Sequence, residues 1–263
     1  MVEQDGAGPP VLARVEDGVG HITLNRPHAR NAITVELARM LHDRLVELAG
    51  EVAVIVVRGA GGHFCAGGDF HEVGRLRAEG PEALRPLFAH FGRACSVIAE
   101  LPVPVVAAVE GTAMAGGFEF MQASDVVVVR DDAVIADNHS NVGQVPGGGG
   151  SQRLPRLLGP QRALTHILLG ERLTGREAVA HGLAYRSAPA EGFDALVAEV
   201  VGRLARNDRD ATARTKRLVY RGLAGPLTDG LALETDTVIE HLGGAAAGER
   251  VAEFRAGSRR HEG

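Results

Sequence analysis

The chain has 263 residues, 45% hydrophobic, 23% charged and 4% aromatic, with a formal charge of −5. That length can bury a sizeable core, and the composition excludes wholesale disorder. A mildly acidic chain without a basic block argues against nucleic acid as a partner, and no apolar run approaches the roughly 18–20 residues that cross a bilayer.

Residues 11–15 and 21–25, joined by 16–20 with Asp17-Gly18 inside the turn, predict an N-terminal hairpin, and Pro27 ends its second strand. Thr34 is expected to cap a helix with Glu36 in its first turn and Leu37, Met40, Leu41, Leu45 and Leu48 as its apolar stripe. Residues 52–57 form a short apolar run rich in valine and isoleucine, the pattern of a strand buried on both faces. A helix is predicted over 81–100, striped by Leu84, Leu87, Phe88, Phe91, Cys95 and Ile98. Then come a strand at 105–109, a short helix at 116–123 and strands at 125–129 and 134–136. From Arg153 the periodicity is mostly helical, broken by an apolar stretch at 183–185. Residues 194–205, 211–222 and 228–242 predict three C-terminal helices. The expected architecture is an α/β core over 1–200 followed by a helical region over 201–263.

Residues 1–10 include Glu3 and Asp5 and lack an apolar export core, so a cytoplasmic protein is expected. Cys65 and Cys95, the only two cysteines, are expected as free thiols of a reducing compartment. Of 28 basic residues only Lys216 is a lysine. No Gly-Lys phosphate loop exists, and Schiff-base chemistry would rest on that one residue.

Three glycine-rich loops each follow a predicted strand: 58–69 (RGAGGHFCAGGD), 110–119 (EGTAMAGGFE) and 137–154 (DNHSNVGQVPGGGGSQRL). Glycine lets backbone approach a ligand closely, so such loops present main-chain N–H groups to an anion or oxyanion. Three of them point to a ligand site at the strand ends. A dinucleotide fingerprint fails, because the sixth position from Gly59 is Phe64. There is no G-x-S-x-G elbow, no H-E-x-x-H and no paired-cysteine motif, so no zinc site is expected. Binding a developing oxyanion between two backbone N–H donors remains, and with it carbonyl chemistry.

His63-Phe64-Cys65-Ala66-Gly67-Gly68-Asp69-Phe70 resembles the F-x-A-G-[AG]-D-[FIL] segment of the enoyl-CoA hydratase/isomerase (crotonase) superfamily. N-R-P-x-x-x-N-A-[IL] at 25–33, A-V-x-G-x-A-x-x-G-G at 108–117 and V-P-G-x-G-G-x-Q-R-L at 145–154 extend the resemblance over nearly the whole chain. It implies a ClpP-like spiral of β-β-α units whose helical C-terminal region assembles trimers or pairs of trimers and covers the CoA site. It also implies an acyl-CoA thioester substrate, with coenzyme A carried in the substrate and no separate cofactor. The oxyanion donors would be the N–H groups of Gly68 and Gly116. Ala66 would meet the CoA adenine through its backbone. Gly68, Asp69, Phe70 and His71 would line the CoA site together with Gly116. Many relatives carry lysine at the position of His71, so Arg30, Arg259 and Arg260 become candidates for the CoA phosphates.

Hydratases of this superfamily hold a water between two glutamates. Glu119 matches the first, and His139 stands at the second. Histidine moves protons but does not accept two hydrogen bonds as a carboxylate does. Glu119 and His139 are the expected acid/base pair. Asp137 is expected to cap its own loop rather than orient His139. Asn138, Asn141 and Gln144 are expected to supply neutral hydrogen bonds, and Tyr185 and Tyr220 to be structural. Histidine here is also similar to a branch that cleaves carbon–carbon bonds in β-diketones, such as 6-oxocamphor hydrolase, although that branch carries aspartate where this chain has Gly148. The run at 67–73 is similar to carboxymethylproline synthases, which decarboxylate malonyl-CoA to an enolate. The expected activity is hydration or proton transfer at Cα/Cβ. C–C cleavage or decarboxylation, and a non-catalytic acyl-CoA-binding subunit, are the alternatives.

Overall fold

The computed structural model describes residues 8–244. Asp17 and Gly18 both take positive φ, 49° and 74°, as a two-residue type I′ turn requires, so β1 (Val11–Glu16) and β2 (Val19–Leu24) close into the expected hairpin. The Thr34 hydroxyl accepts from Leu37 N–H at 3.1 Å. It thereby caps α1 (Val35–Ala49), which buries Leu37, Leu41, Leu45 and Leu48. Next are β3 (Val54–Gly59), α2 (Phe70–Glu79), α3 (Pro81–Val97) with a 3₁₀ turn at Ile98–Glu100, and β4 (Val105–Val109). Two similar turns follow. In one, β5 (Thr112–Met114) leads into α4 (Gly116–Ala123). In the next, β6 (Val126–Arg130) and β7 (Val134–Ala136) precede α5 (Gly150–Leu158).

The chain continues through α6 (Pro160–Leu169), β8 (Leu173–Thr174), α7 (Gly175–Ala180), β9 (Arg186–Ala188) and α8 (Ala190–Ala205). The large sheet runs β1-β2-β3-β4-β6-β9, parallel beyond the hairpin. A small sheet pairs β7 in parallel with β5 and antiparallel with β8. The two turns β4-β5-α4 and β6-β7-α5 therefore stack strand upon strand in both sheets, the expected spiral of β-β-α units.

Strand β4 and the valine and isoleucine runs of β3 and β6, up to Arg58 and Arg130, are apolar because both faces are covered. Val54, Val56, Val106, Ala108 and Val128 pack on Phe193, Leu196, Val197, Val200 and Val201 of α8. Ile55, Val57, Val105 and Ala107 point the other way, into the core shared with α1, α3 and α4. Alternation along each strand divides the run between two cores. Helix α2 and strands β5 and β8 were not legible as elements. The apolar stretch 183–185 is not a strand: Leu183 and Ala184 fill the core. The strand begins one residue later, set by pairing of Arg186 with Val128.

Residues up to Asn207 form one compact unit, and the division falls beyond the end of α8 rather than at residue 200. In the second unit, α9 (Arg209–Leu223) and α10 (Leu227–Gly243) pack antiparallel, with Arg214 3.1 Å from Glu240 and His241 3.1 Å from Asp210. No helix among the described residues is long and apolar enough to cross a membrane.

Cys65 and Cys95 are free and buried, and burial pushes both thiols up to about 12. Neither is expected to react with a disulfide reagent at pH 8 until urea unfolds the chain, when both react. Fast labelling of either in the native protein would contradict this packing.

Candidate active site

The first glycine loop is held from the segment 25–33. Asn31, fully buried with φ 57°, donates to the carbonyls of Ala60 (2.9 Å) and His63 (2.7 Å) and accepts from Arg26 N–H (2.9 Å). The Arg26 guanidinium reaches Ala32 O at 2.6 Å and Asp69 Oδ2 at 2.9 Å. Asp69 Oδ1 caps α2, accepting from His71 N–H (3.0 Å) and Glu72 N–H (3.1 Å). Burial disfavours the ionised form of Asp69, but the Glu72 N–H and the Arg26 guanidinium outweigh it and hold the carboxyl below the usual carboxylate range.

The second loop is laced to the first. Phe64 N–H donates to Glu110 O (2.9 Å), Cys65 N–H to Thr112 O (2.9 Å) and Met114 N–H to Cys65 O (3.0 Å). A β-carbon on Gly117 would overlap the Cys65 carbonyl oxygen, so this approach needs glycine. Ala115 sits at φ 47°, ψ −116°, a conformation that costs an L-residue about 1–3 kcal/mol. Its N–H is tied to Ala136 O at 3.0 Å, and Gly116 opens α4 directly after it. On the first loop, Ile33 bonds Gly67 O (2.7 Å) and Asp69 N–H (2.9 Å), bracketing Gly68. Among the described residues neither Gly68 N–H nor Gly116 N–H has an acceptor. Both glycines line one cavity of about 430 Å³.

Glu119, in the first turn of α4 and 2% exposed, enters the same cavity. The third loop holds its Oε1 through Gly148 N–H (2.7 Å) and Gly150 N–H (2.8 Å). Arg153 pins that loop in turn by donating to Gly148 O at 2.7 Å. Oε2 is left 3.9 Å from His139 Nε2. On its other side His139 Nδ1 lies 2.7 Å from Oδ1 of Asp137, which is fully buried. This corrects the expected Asx cap: the Asp137 contact to the His139 backbone N–H is the longer one, at 3.4 Å. A carboxylate only accepts, so Nδ1 carries the hydrogen and Nε2 faces Glu119. Burial disfavours the imidazolium, but the Asp137 hydrogen bond and the charges of Asp137 and Glu119 overcome it, raising His139 above its ordinary 6.5.

Because the folded value is raised, the associated stability is complete below an unfolded pKa of about 6.5 and fades as pH rises through the folded value. Asp137→Asn removes the largest raising influence. It is expected to lower the His139 pKa, read from the pH titration of its ring-proton NMR signal, and to shrink the acid-side stability gain. An unmoved titration would deny Asp137 its orienting role.

The structure brings Ala66, Gly68, Phe70, Gly116, Glu119 and His139 to one cavity, with Asn138 and Gln144 on its wall. Asp69 and His71 do not line it. Asp69 turns inward as helix cap and partner of Arg26, and His71 lies about 100° around α2 from Phe70. Arg30 is exposed away from this cavity, and Arg259 and Arg260 lie outside the described residues. Asn141 is exposed beside Gly170 rather than in the cavity. Sequence reasoning missed the apolar wall made by Val73 of α2 with Leu84, Leu87, Phe88 and Phe91 of α3. Its signal was the α3 stripe, which marks a buried face without saying what is buried there. A larger hollow, about 700 Å³, is lined by Gln122, Tyr185 and Arg203 among others. It contains neither the free amides nor the Glu119–His139 pair. No three His, Cys, Asp or Glu among the described residues cluster to hold a metal.

The family model for enoyl-CoA hydratase/isomerase matches residues 14–247. A Rhodobacter capsulatus protein named "Probable enoyl-CoA hydratase" is 33% identical over 220 residues, 84% of each chain. The crystal structure of an enoyl-CoA hydratase from Polaromonas sp. JS666 superposes with a TM-score of 0.90 at 30% identity, covering 94% of this chain and 96% of that one. An enoyl-CoA hydratase from Bacillus anthracis gives 0.87 at 28% identity, covering 94% and 96%.

Proposed function

Since this chain belongs to the enoyl-CoA hydratase/isomerase family, we propose that it adds water to, or moves a proton at, Cα/Cβ of an acyl-CoA thioester through an enolate. The observation that carries this is the facing of Glu119 and His139 in the cavity that also holds the unpaired N–H groups of Gly68 and Gly116. The thioester oxygen accepts from those two amides as negative charge develops on it, and each such donor is worth about 3–4 kcal/mol in the transition state. The N-terminal dipole of α4 adds to the field at Gly116.

A water that bonds both Glu119 Oε2 and His139 Nε2 at about 2.8 Å spans their 3.9 Å separation with an angle near 90° at its oxygen. Glu119 takes a proton from this water as the hydroxyl joins Cβ. His139, as imidazolium, gives its Nε2 proton to Cα. Transfer of the proton from Glu119 back to His139 resets the pair, so one H₂O is added to the double bond. Coenzyme A enters as part of the substrate. The reading includes a homotrimer or a pair of trimers, for which the exposed Leu164, Leu168 and Leu169 of α6 offer apolar surface. The two free thiols suit the cytosol.

A second reading, C–C cleavage of a β-diketone or decarboxylation, is favoured by the Asp137–His139 pair, which orients an imidazole to activate water or protonate an enolate. Against the β-diketone form, a β-carbon on Gly148 would sit 2.8 Å from Phe91 Cδ1 and 2.9 Å from Glu119 Oε2, so an aspartate there requires both side chains to move. Purified protein mixed with crotonyl-CoA is expected to discharge the conjugated enoyl absorbance, and in D₂O to place deuterium at Cα of the product. Inactivity there with turnover of a β-diketone or malonyl thioester would transfer the assignment to the second reading. Binding of thioesters without turnover would leave a non-catalytic subunit.

A further inference from the structure

Phe70, Val73 and Arg77 recur at helical spacing along the face of α2 that lines the cavity. Phe70 follows Gly68 by two residues, and Arg77 lies seven residues further, about 10 Å along the helix axis. The facing wall, Leu84, Leu87 and Phe88 of α3, is apolar. The acidic residues nearby in sequence are engaged elsewhere: Glu72 and Glu79 lie 3.7 and 2.7 Å from Arg75, and Glu82 lies 2.8 Å from Arg85. Among the described residues the Arg77 side chain makes no ion pair or hydrogen bond.

Arg77 is itself exposed, at the open end of this apolar wall, and a carboxylate arriving with the ligand bonds its guanidinium in two places at once. We infer that the acyl chain of the substrate ends in a carboxylate that pairs with Arg77; the inference rests on the acyl-CoA reading above. With the thioester oxygen at Gly68 and Gly116, the acyl chain runs past Phe70 and Val73 toward Arg77. Helical side chains lean toward the helix N-terminus, so the guanidinium reaches back toward the carbonyl, and a chain of about five or six carbons fits.

Calorimetric titration of the full chain with glutaryl- and adipoyl-CoA, against pentanoyl- and hexanoyl-CoA, tests this without requiring turnover. The carboxylated esters are expected to bind at least about tenfold more tightly. Arg77→Met is expected to bring the ratio within about twofold of unity, and Arg77→Lys to restore part of it. Equal wild-type affinity for both classes would overturn the inference, as would a preference that survives Arg77→Met. Equal weakening of both classes in Arg77→Met, with the matching pantetheine thioesters unaffected, would assign Arg77 to a CoA phosphate instead. If wild type also hydrates crotonyl-CoA, a failed preference overturns the inference alone. Binding of no ester at all removes the inference together with the acyl-CoA reading.

Discussion

Glu119→Gln is expected to lower kcat for hydration of a 2-enoyl-CoA by about 10²–10⁴-fold while leaving the fold intact. The prediction follows from how the two carboxylate oxygens differ. Oε1 is claimed by the N–H groups of Gly148 and Gly150, at 2.7 and 2.8 Å, and an amide oxygen serves those donors as well. The glutamine must therefore turn its NH₂ toward His139, where the native Oε2 lies 3.9 Å from Nε2. Shape and packing persist, but the acceptor that takes the proton from water is gone. Steady-state kinetics with crotonyl-CoA, beside urea unfolding curves for both proteins, check the two halves. A variant that unfolds like wild type yet keeps more than about a tenth of its kcat would remove Glu119 as the base.

Gly117→Ala is expected to destabilise the chain by about 3 kcal/mol or more, the upper range for overpacking, because nothing flexible stands in the way. The added methyl would overlap the Cys65 carbonyl oxygen and lie 2.9 Å from both the carbonyl carbon and Cβ of Cys65. That carbonyl also accepts from Met114 N–H at 3.0 Å, so relief means parting the first loop from the second. The thermal midpoint should fall by about 6–12 °C for a chain of this size. Activity should be lost even below the new midpoint, since the proposed pairing of the Gly68 and Gly116 amides on one oxygen depends on the two loops staying together. Gly74→Ala on α2, with nothing within 4 Å of its new methyl, is the control and should be neutral or mildly stabilising. A Gly117→Ala midpoint within about 1 °C of wild type would show that the loops do not meet as described.

Periodicity was enough for the long elements. The α1 stripe, the α3 stripe and the doubly apolar strands each carry their signal within a few consecutive residues, and they lie where the spacing predicts. Short elements fared worse, because β5, β8 and β9 are two or three residues long and exist through their partners. Helix α2 carries a local cue, Asp69 three residues before Glu72, but one cue without an apolar stripe does not make it legible, and the resemblance places that aspartate in a ligand-lining loop. Its carboxylate faces Arg26, 43 positions earlier, and no local pattern reports such a contact. Asp137 is the converse case. Two residues from His139, it was assigned to the backbone, whereas the fold spends its shortest contact on the imidazole ring.

From the order of residues alone came the superfamily, the spiral of strands and helices, the three loops, and Glu119 and His139 as the proposed acid/base pair. Those follow from local spacing and from motifs in which glycines such as Gly59, Gly111 and Gly117 cannot take a β-carbon without collision. Folding added the facts that depend on distance across the chain. The second and third loops meet so that Glu119 presents one oxygen rather than two, the Asp137 carboxylate turns His139 toward it, and Arg77 faces an apolar wall with no partner among the described residues. Side-chain orientation around a cavity is set by contacts between segments tens of residues apart, and a one-dimensional pattern holds no record of them.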